Sequence, residues 1–519
     1  MNYVGTARPI HDAKGKATGY TKYAGDISLP NMAYLCMLHS KIPHGYVKAV
    51  HAEKALALPG VYGVYHCLNT SDRKYNRYRS SFNQAYLANE ERAFNQYVRF
   101  VGDKIGVVAA CDQETAERAA RLVEVEYEEL PFSIGFDDTL AGKNCLEGET
   151  PVRDEYTLEV GKKQESTEGL IEVCSTMELP RLHHATMETH ACIADYDPYS
   201  DMLTVYCPNQ AVHGIRTVLA DFLEMPESHV RVVKATMGGS FGAKQEWFLE
   251  PVTALVAKKL CRPVKLVYSR GEAMTDTIVR GAMRMSARGY YTPDGEMKEI
   301  YCDVTLDAGA YIGNAGDYVR ALAGKPTRCY RIPYMHYHGQ VISSNSPVSG
   351  AFRSWSAAEE ALMMERQLDA AAEKLGMDRL AIRLKNVARS GEEDKKLHLS
   401  LEDIRIGDAI TLGSEKFGWD KLKAEDAAFN ASQQRYRRGV GIGIGGHGNT
   451  YFPRFNDYGE GSISLNADGS MQANFTLHDH GCGTVTAMRM IAAEVLKVPE
   501  DKIYMTEGDT AVTPIDYGW

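Results

Sequence analysis

The chain has 519 residues, of which 44% are hydrophobic and 24% charged, and a formal net charge of −10. That length exceeds one core, so two to four domains are expected, and the composition is that of a soluble globular protein. The acidic balance argues against a nucleic-acid or anionic-membrane surface, no apolar run approaches the ~18–20 residues that span a bilayer, and no leader pattern opens the sequence, which makes the cytoplasm the expected compartment.

In chain order, residues 1–135 alternate short β-type and helical runs. Val61–Tyr65 and Lys104–Ala110 are predicted strands, Glu114–Val123 is a helix with one apolar face, and Val125–Glu128 is a further strand. This region is expected to form a compact α/β domain of its own. A polar stretch within 136–169 predicts an extended connector. From 170 to 400 β-type segments dominate, with a hairpin turn at Thr292–Glu296, a strand at Ile300–Leu306 and a helix over Ala357–Leu375 ended by Gly376. Asp378–Asn386 predicts a shorter helix. Arg389–Arg438 reads as a charged stretch of loops and helices; residues 401–519 are assigned to the start of a second lobe, which begins in earnest at Gly439.

Two glycine loops stand out. Gly238-Gly239-Ser240-Phe241-Gly242-Ala243-Lys244 follows the predicted strand Val230–Val233, placing backbone amides where no Cβ blocks a ligand. Asp479-His480-Gly481-Cys482-Gly483-Thr484 lies in a related setting. Helix, Pro-Glu break and strand recur at an offset of 273 residues (491 minus 218), and each unit is preceded by a hairpin turn, Asp197–Asp201 in one and Asn466–Ser470 in the other. Through that offset Cys482 falls within one residue of Gln210. Two related lobes gripping a ligand between them are expected. The eleven cysteines include no CxxC pair, which disfavours zinc and iron–sulfur sites built on short spacings.

These motifs, in this order, resemble the molybdenum-binding subunit of the xanthine dehydrogenase and aldehyde oxidase family. Asp12-Ala13, Lys16, Thr18-Gly19, Tyr23, Asp26, Pro30 and His44 resemble its α/β hammerhead domain. His184–His190 resembles a segment beside the cofactor. Gly238–Lys244 resembles the GGGFGGK loop, Gly350-Ala351-Phe352-Arg353 the GAFRGFG loop, and Asp479–Gly483 the EMGQG loop. The resemblance implies an α+β fold: a hammerhead domain, then two molybdopterin-binding lobes, the second incomplete. It also implies a molybdenum-pterin, expected in the cytosine dinucleotide form, held without side-chain ligands to the metal.

By the resemblance, Gln210 and Arg353 are catalytic, and Gly239, Phe241, Gly242, His480, Gly481 and Cys482 join them in holding the cofactor. Arg320, Trp355, Gln245 and Phe241 are the substrate contacts. The bland alternatives are a Gln210 side chain bonded to its own backbone, a surface ion pair for Arg353 and a core tryptophan for Trp355. Trp355 stands in place of a stacking phenylalanine and Gln245 in place of a substrate-binding glutamate; Ser354 stands where carbon monoxide dehydrogenases carry a cysteine, which disfavours their chemistry. The expected activity is hydroxylation of a purine or related N-heterocycle; an aldehyde oxidoreductase subunit and a non-catalytic scaffold subunit are the alternatives. The family's general-base glutamate has no counterpart in this chain, so a C-terminally short, split enzyme is expected. A second molybdopterin-binding subunit would supply the base, and iron–sulfur (2Fe-2S) and FAD subunits would carry electrons.

Overall fold

The computed structural model describes residues 3–78, 89–146, 148–432, 435–448 and 459–516. The N-terminal unit contains β1 (Ala33–His39), β2 (Gly45–His51), β3 (Val61–His66), β4 (Lys104–Ala110), α1 (Gln113–Ala120) and β5 (Glu124–Glu129). All seven residues of β4 are buried because it lies between β1 and β3 and is packed on both faces. Asp112 caps α1 by accepting from the Thr115 amide. This unit is not self-contained, however. β1 pairs in parallel with β11 (Val264–Val267) of the following lobe, Ala33 opposite Val264. The expected separate domain therefore shares one seven-stranded sheet with its neighbour, and β1 is the strand that joins them.

The stretch 136–169 is more than a connector. It holds a short helix, Phe136–Leu140, and the ten-residue strand β6 (Val152–Gly161). Tyr156, Leu158 and Val160 of that strand alternate with Glu155, Thr157 and Glu159. The apolar half of this alternation faces the core, but its charges outweigh it in composition, which is why the stretch reads as polar. Next come β7 (Ile171–Leu179), β8 (Ala191–Asp197), β9 (Met202–Cys207), α2 (Val212–Leu223), β10 (Val230–Lys234) and α3 (Glu250–Leu260). Beyond β11 lie β12 (Ala282–Tyr291), β13 (Met297–Asp307), α4 (Ala315–Leu322), β14 (Tyr334–Ile342) and α5 (Ala357–Leu375). Two sheets result, ordered β10-β9-β8-β11-β1-β4-β3 and β7-β12-β13-β14-β6. Gly376 ends α5 in the left-handed conformation, φ 63°.

The last lobe contains β15 (Gly461–Leu465), β16 (Met471–Phe475), α6 (Thr484–Leu496) and β17 (Ile503–Glu507). It reproduces the first. β8–β9 and β15–β16 are antiparallel hairpins, and β9–β10 and β16–β17 are parallel pairs bridged by α2 and α6. The two helices end on left-handed Glu224 and Lys497, 273 residues apart (497 minus 224), each followed by a proline at φ −59° two residues on. Gln210 and Cys482 each stand two residues before their helix.

The copies differ in cover. In the first lobe α3 packs on β8 and β11 pairs along its edge, so Ala194, on the helix-covered face, is fully buried. In the second, Ile463 and Leu465 share the α6 face of the sheet yet are 43% and 69% exposed, and Val495 on α6 is 73% exposed. The lobes meet where Lys234 donates its amide to Gly508 O (2.8 Å), Thr510 donates to Val232 O (3.0 Å) and Arg231 pairs with Asp509 (2.6 Å). The beginning of the chain also reaches the last lobe: Tyr3 is buried against Ala473, Ala493 and Ile503, and the Tyr3 and Val4 amides donate to Glu494 at 2.6 and 2.9 Å. Among the described residues no helix is long and apolar enough to cross a membrane.

Candidate functional site

The first glycine loop leaves the end of β10 and turns on left-handed residues: Gly239 (φ 94°), Phe241 (φ 57°) and Gly242 (φ 100°). Left-handed geometry is ordinary for glycine and costs a phenylalanine about 1–3 kcal/mol. Contacts on both sides hold it there. The Phe241 carbonyl accepts from the Arg353 amide at 2.8 Å, and a Cβ on Gly242 would lie 2.6 Å from Ala351 O. The GAFR-like loop Gly350–Trp355 is thereby pressed backbone to backbone against the glycine loop. That second loop is strained as well, with Ser354 at φ 79° and Ser356 at φ 59°.

Three side chains brace the pair. Ser240 Oγ donates to Gln210 Oε1 (2.5 Å) and accepts from the Lys244 amide (3.3 Å). Glu188 Oε2 accepts from the Gly238 amide (2.7 Å) and from Lys244 Nζ (2.6 Å). Burial pulls the Lys244 pKa down, and the Glu188 carboxylate acts against that pull. His184 stacks on Phe352 at 4.2 Å and donates through Nε2 to Ala351 O (2.8 Å). Burial lowers its pKa to about 4, so the imidazole is neutral at physiological pH.

What remains unengaged defines the site. Ser240 fixes the carbonyl end of Gln210 and leaves its Nε2 without an acceptor among the described residues. The Phe241 amide likewise has none. The Arg353 main chain is clamped, its carbonyl accepting from Arg280 at 2.7 Å, while its exposed guanidinium has no carboxylate partner among the described residues. Gln210 and Arg353 are therefore joined through Ser240 and Phe241 into one constellation of donors, one of them permanently charged. Such an array suits a ligand that carries or develops negative charge. Among the described residues neither the self-bonded Gln210 nor the ion-paired Arg353 is observed.

The other expected contacts divide. Trp355 is half-buried, its ring 5.0 Å from Tyr318 of α4 and stacked at 6.4 Å on Tyr78. Gln245 is half-buried beside Lys244. Arg320 also lies on α4, but its guanidinium is held by both oxygens of Asp154 on β6 at 2.5 and 2.8 Å. The structure thus pairs Arg320 with the edge strand.

In the second glycine loop Gly481 (φ 106°) and Gly483 (φ 79°) supply the bend. Their amides are not free: Asp479 Oδ1 accepts from both, at 3.0 and 3.3 Å, and Oδ2 accepts from Val485 at 3.3 Å. Burial of Asp479 opposes its charge, yet these amides and Lys234 hold its carboxyl below the usual range. The Cys482 thiol is exposed, 2.9 Å from Thr484 Oγ1. His480 is half-buried, and burial and Lys234 lower its pKa. Lys234, at the end of β10, ties the second loop to the strand that leads into the first by donating Nζ to Asp479 O at 3.1 Å.

Sequence reasoning placed His184, Glu188, Ser240 and Asp479 inside segments resembling cofactor-side motifs but gave none of them a role of its own, and it gave Lys234 none. Lys234 had one usable signal, a cation closing the apolar strand run Val230–Val233. The other four make contacts that cross 30 or more residues, or serve only to fix a loop, and carry no such pattern. Among the described residues no group of three or more His, Cys, Asp or Glu could hold a metal by side chains.

Residues 18–131 match the family described as aldehyde oxidase and xanthine dehydrogenase, a/b hammerhead domain. Residues 149–387 and 412–518 match two molybdopterin cofactor-binding domains. The chain is similar to the xanthine dehydrogenase molybdenum-binding subunit of Escherichia coli O157:H7, 29% identical over 98% of this chain and 68% of that protein. It is 31% identical to a probable xanthine dehydrogenase subunit of Bacillus subtilis strain 168, over 99% of this chain and 67% of that protein. The fold matches the crystal structure of quinoline 2-oxidoreductase from Pseudomonas putida 86 with a TM-score of 0.89 at 22% identity, covering 100% of this chain and 67% of that one.

Proposed function

From the premise that this chain belongs to the xanthine dehydrogenase and aldehyde oxidase family of molybdenum hydroxylases, we propose that it is the cofactor-holding subunit of an enzyme that hydroxylates an electron-poor carbon of a purine or related N-heterocycle. The observation that carries this reading is the set of uncompensated donors: Gln210 Nε2, the Phe241 amide and the Arg353 guanidinium. They fit the oxygen-rich surroundings of a pterin-held metal, and Gly242, whose missing Cβ lets the Ala351 backbone close in, keeps these donors together. When bound, the molybdenum-pterin supplies oxygen transfer from water and accepts the two electrons.

This chain's residues do the rest. Gln210 donates to an acceptor on the cofactor, oriented by Ser240. Arg353 stabilises negative charge that builds during the reaction. Phe241 and Trp355 offer apolar and aromatic surface to a flat ring. His480, Gly481 and Cys482 form the second wall, with Asp479 fixing their bend. Glu188 is committed to Lys244, Glu507 to Lys234 and Asp479 to the amides of its own loop, while Glu246 is buried beneath the Gly350–Arg353 loop. A general base is therefore proposed to come from further polypeptide, a second molybdopterin-binding subunit seated on the uncovered face of the last lobe. The cytosine dinucleotide form of the pterin, and partner chains carrying 2Fe-2S and FAD, complete the proposal. One observation favours the second reading, aldehyde oxidation: Arg320, which the purine reading needs at the substrate, is held by Asp154.

The test uses the native complex. Stoichiometric molybdenum is expected, with reduction by hypoxanthine or nicotinate faster than by benzaldehyde. Arg353→Ala is expected to retain molybdenum and lose turnover by ~100-fold or more. A complex without molybdenum rejects the catalytic reading; benzaldehyde as the fastest reductant selects the aldehyde one.

A further inference from the structure

Directly after the first glycine loop lies a carboxyl given no part above. Glu246 is 1% exposed. Its Oε1 accepts from Asn314 Nδ2 at 3.1 Å and lies 3.4 Å from the Ala351 amide. A Cβ on Gly350 would fall 2.5 Å from the same oxygen, so the GAFR-like loop rests on this carboxyl. The Glu246 carbonyl accepts from Asn209 Nδ2 at 2.8 Å, and the neighbouring Gln210 amide donates to Lys244 O at 2.9 Å. One residue thus touches, by side chain or backbone, the segments that carry Gln210, Phe241 and Arg353.

We infer that Glu246 is a positioning residue for this site: it holds the Gly350–Arg353 loop in register with the glycine loop and so sets where the Arg353 guanidinium stands. It makes no contact with the Arg353 side chain and acts only through the backbone that carries it. The inference rests on the site reading given above.

A buried carboxyl is an unusual choice for packing, because an ionised one is costly away from water. Burial is the main force on Glu246 and pushes its pKa up to about 8; Arg77 acts against this and Glu91 with it. Arg77 itself is engaged by Glu91. The groups on the loop side, Asn314, Asn209 and the Ala351 amide, are neutral. At neutral pH the carboxyl is therefore uncharged, and a glutamine at 246 reproduces its shape, its acceptor and its charge. An alanine removes the support beneath Ala351.

The experiment compares wild type, Glu246→Gln and Glu246→Ala by hydrogen–deuterium exchange in the unloaded protein, and by steady-state kinetics in the loaded complex. Glu246→Ala is expected to speed exchange across Gly350–Trp355 by about tenfold, leaving α5 unchanged, while Glu246→Gln stays within about threefold of wild type. In the complex, Glu246→Ala is expected to lower kcat about tenfold with KM and molybdenum content unchanged, and Glu246→Gln to restore it. Equal loop exchange in wild type and Glu246→Ala overturns the inference, as does a glutamine variant that behaves like the alanine one. If Glu246→Ala does not fold, Asn314→Ser removes the partner that orients Oε1; unchanged loop exchange there overturns the inference equally. The exchange readout needs no cofactor, so a wild-type complex without molybdenum would sink the enzymatic reading and leave this comparison standing.

Discussion

Gly242 shows how little room the site leaves. Alanine there would have to keep φ near 100° and place its Cβ 2.6 Å from Ala351 O. Backbone atoms cannot swing aside as a long side chain can. We expect Gly242→Ala to cost about 1–3 kcal/mol in chemical denaturation and to lower activity by moving Arg353, whose amide bonds to the adjacent carbonyl. Normal stability with normal activity would show that the two loops are not pressed together. At this scale the sequence was informative wherever a residue type is forced by geometry. The glycines could be named because turns leave a pattern and Gln210 because the repeat singles out its position, whereas Arg353, like the role of Gln210, came only from the resemblance of its loop to the family's. Ser240, Glu188 and Glu246 could not, since a buried polar group is recognisable only by partners that folding brings to it. Arg320 shows the converse: its position in the chain suggested a substrate contact, but Asp154, far away on β6, takes its guanidinium.

The repeated helix, proline and strand units were visible as elements because α2 and α6 carry the same terminators, a left-handed residue and then a proline, at one constant spacing. What periodicity missed was β6, whose alternation is masked by charge, and the parallel pairing of β1 with β11, which leaves no local trace in either strand. The element that differs most between the lobes is β15. Ile463 and Leu465 are apolar residues on the face where β8 is covered by a helix, and they stand in water. Replacing Leu465 with Asp is expected to change the stability of the isolated chain by no more than about 0.5 kcal/mol, because the site is exposed. In the assembled complex the same change would bury a charge, and assembly measured by size-exclusion chromatography with light scattering should fail. Destabilisation of the isolated chain would mean the face is already covered; unimpaired assembly would remove it from the interface.

Across the whole molecule, buried ionisable groups set how stability follows pH. Burial raises Glu246 and Glu360 each to about 8, so between their unfolded value near 4.5 and pH 8 the folded chain binds more protons than the unfolded one. Their contribution falls as pH rises through that window. Burial lowers His184 and His213 to about 4 and His190 and His478 to about 3; these remain neutral when folded, so their contribution rises with pH through the unfolded value near 6.5 and levels off about one unit above it. Lys325, lowered by burial to about 8, begins to act in the opposite sense to the carboxyls as pH approaches that value. Between pH 6.5 and 8 urea unfolding is expected to show the wild type losing stability relative to a Glu246→Gln, Glu360→Gln double variant, by on the order of 1 kcal/mol per unit for each carboxyl, and parallel profiles would place both carboxyls in contact with water. The bonds from Tyr3 and Val4 to Glu494 bear on how this shape is reached. Joining residues some 490 positions apart is among the costliest closures a chain of this length can make. During synthesis the first residues must wait for the last lobe to emerge from the ribosome, so this strap is among the last parts to set, and the nascent chain holds Tyr3 bare until then.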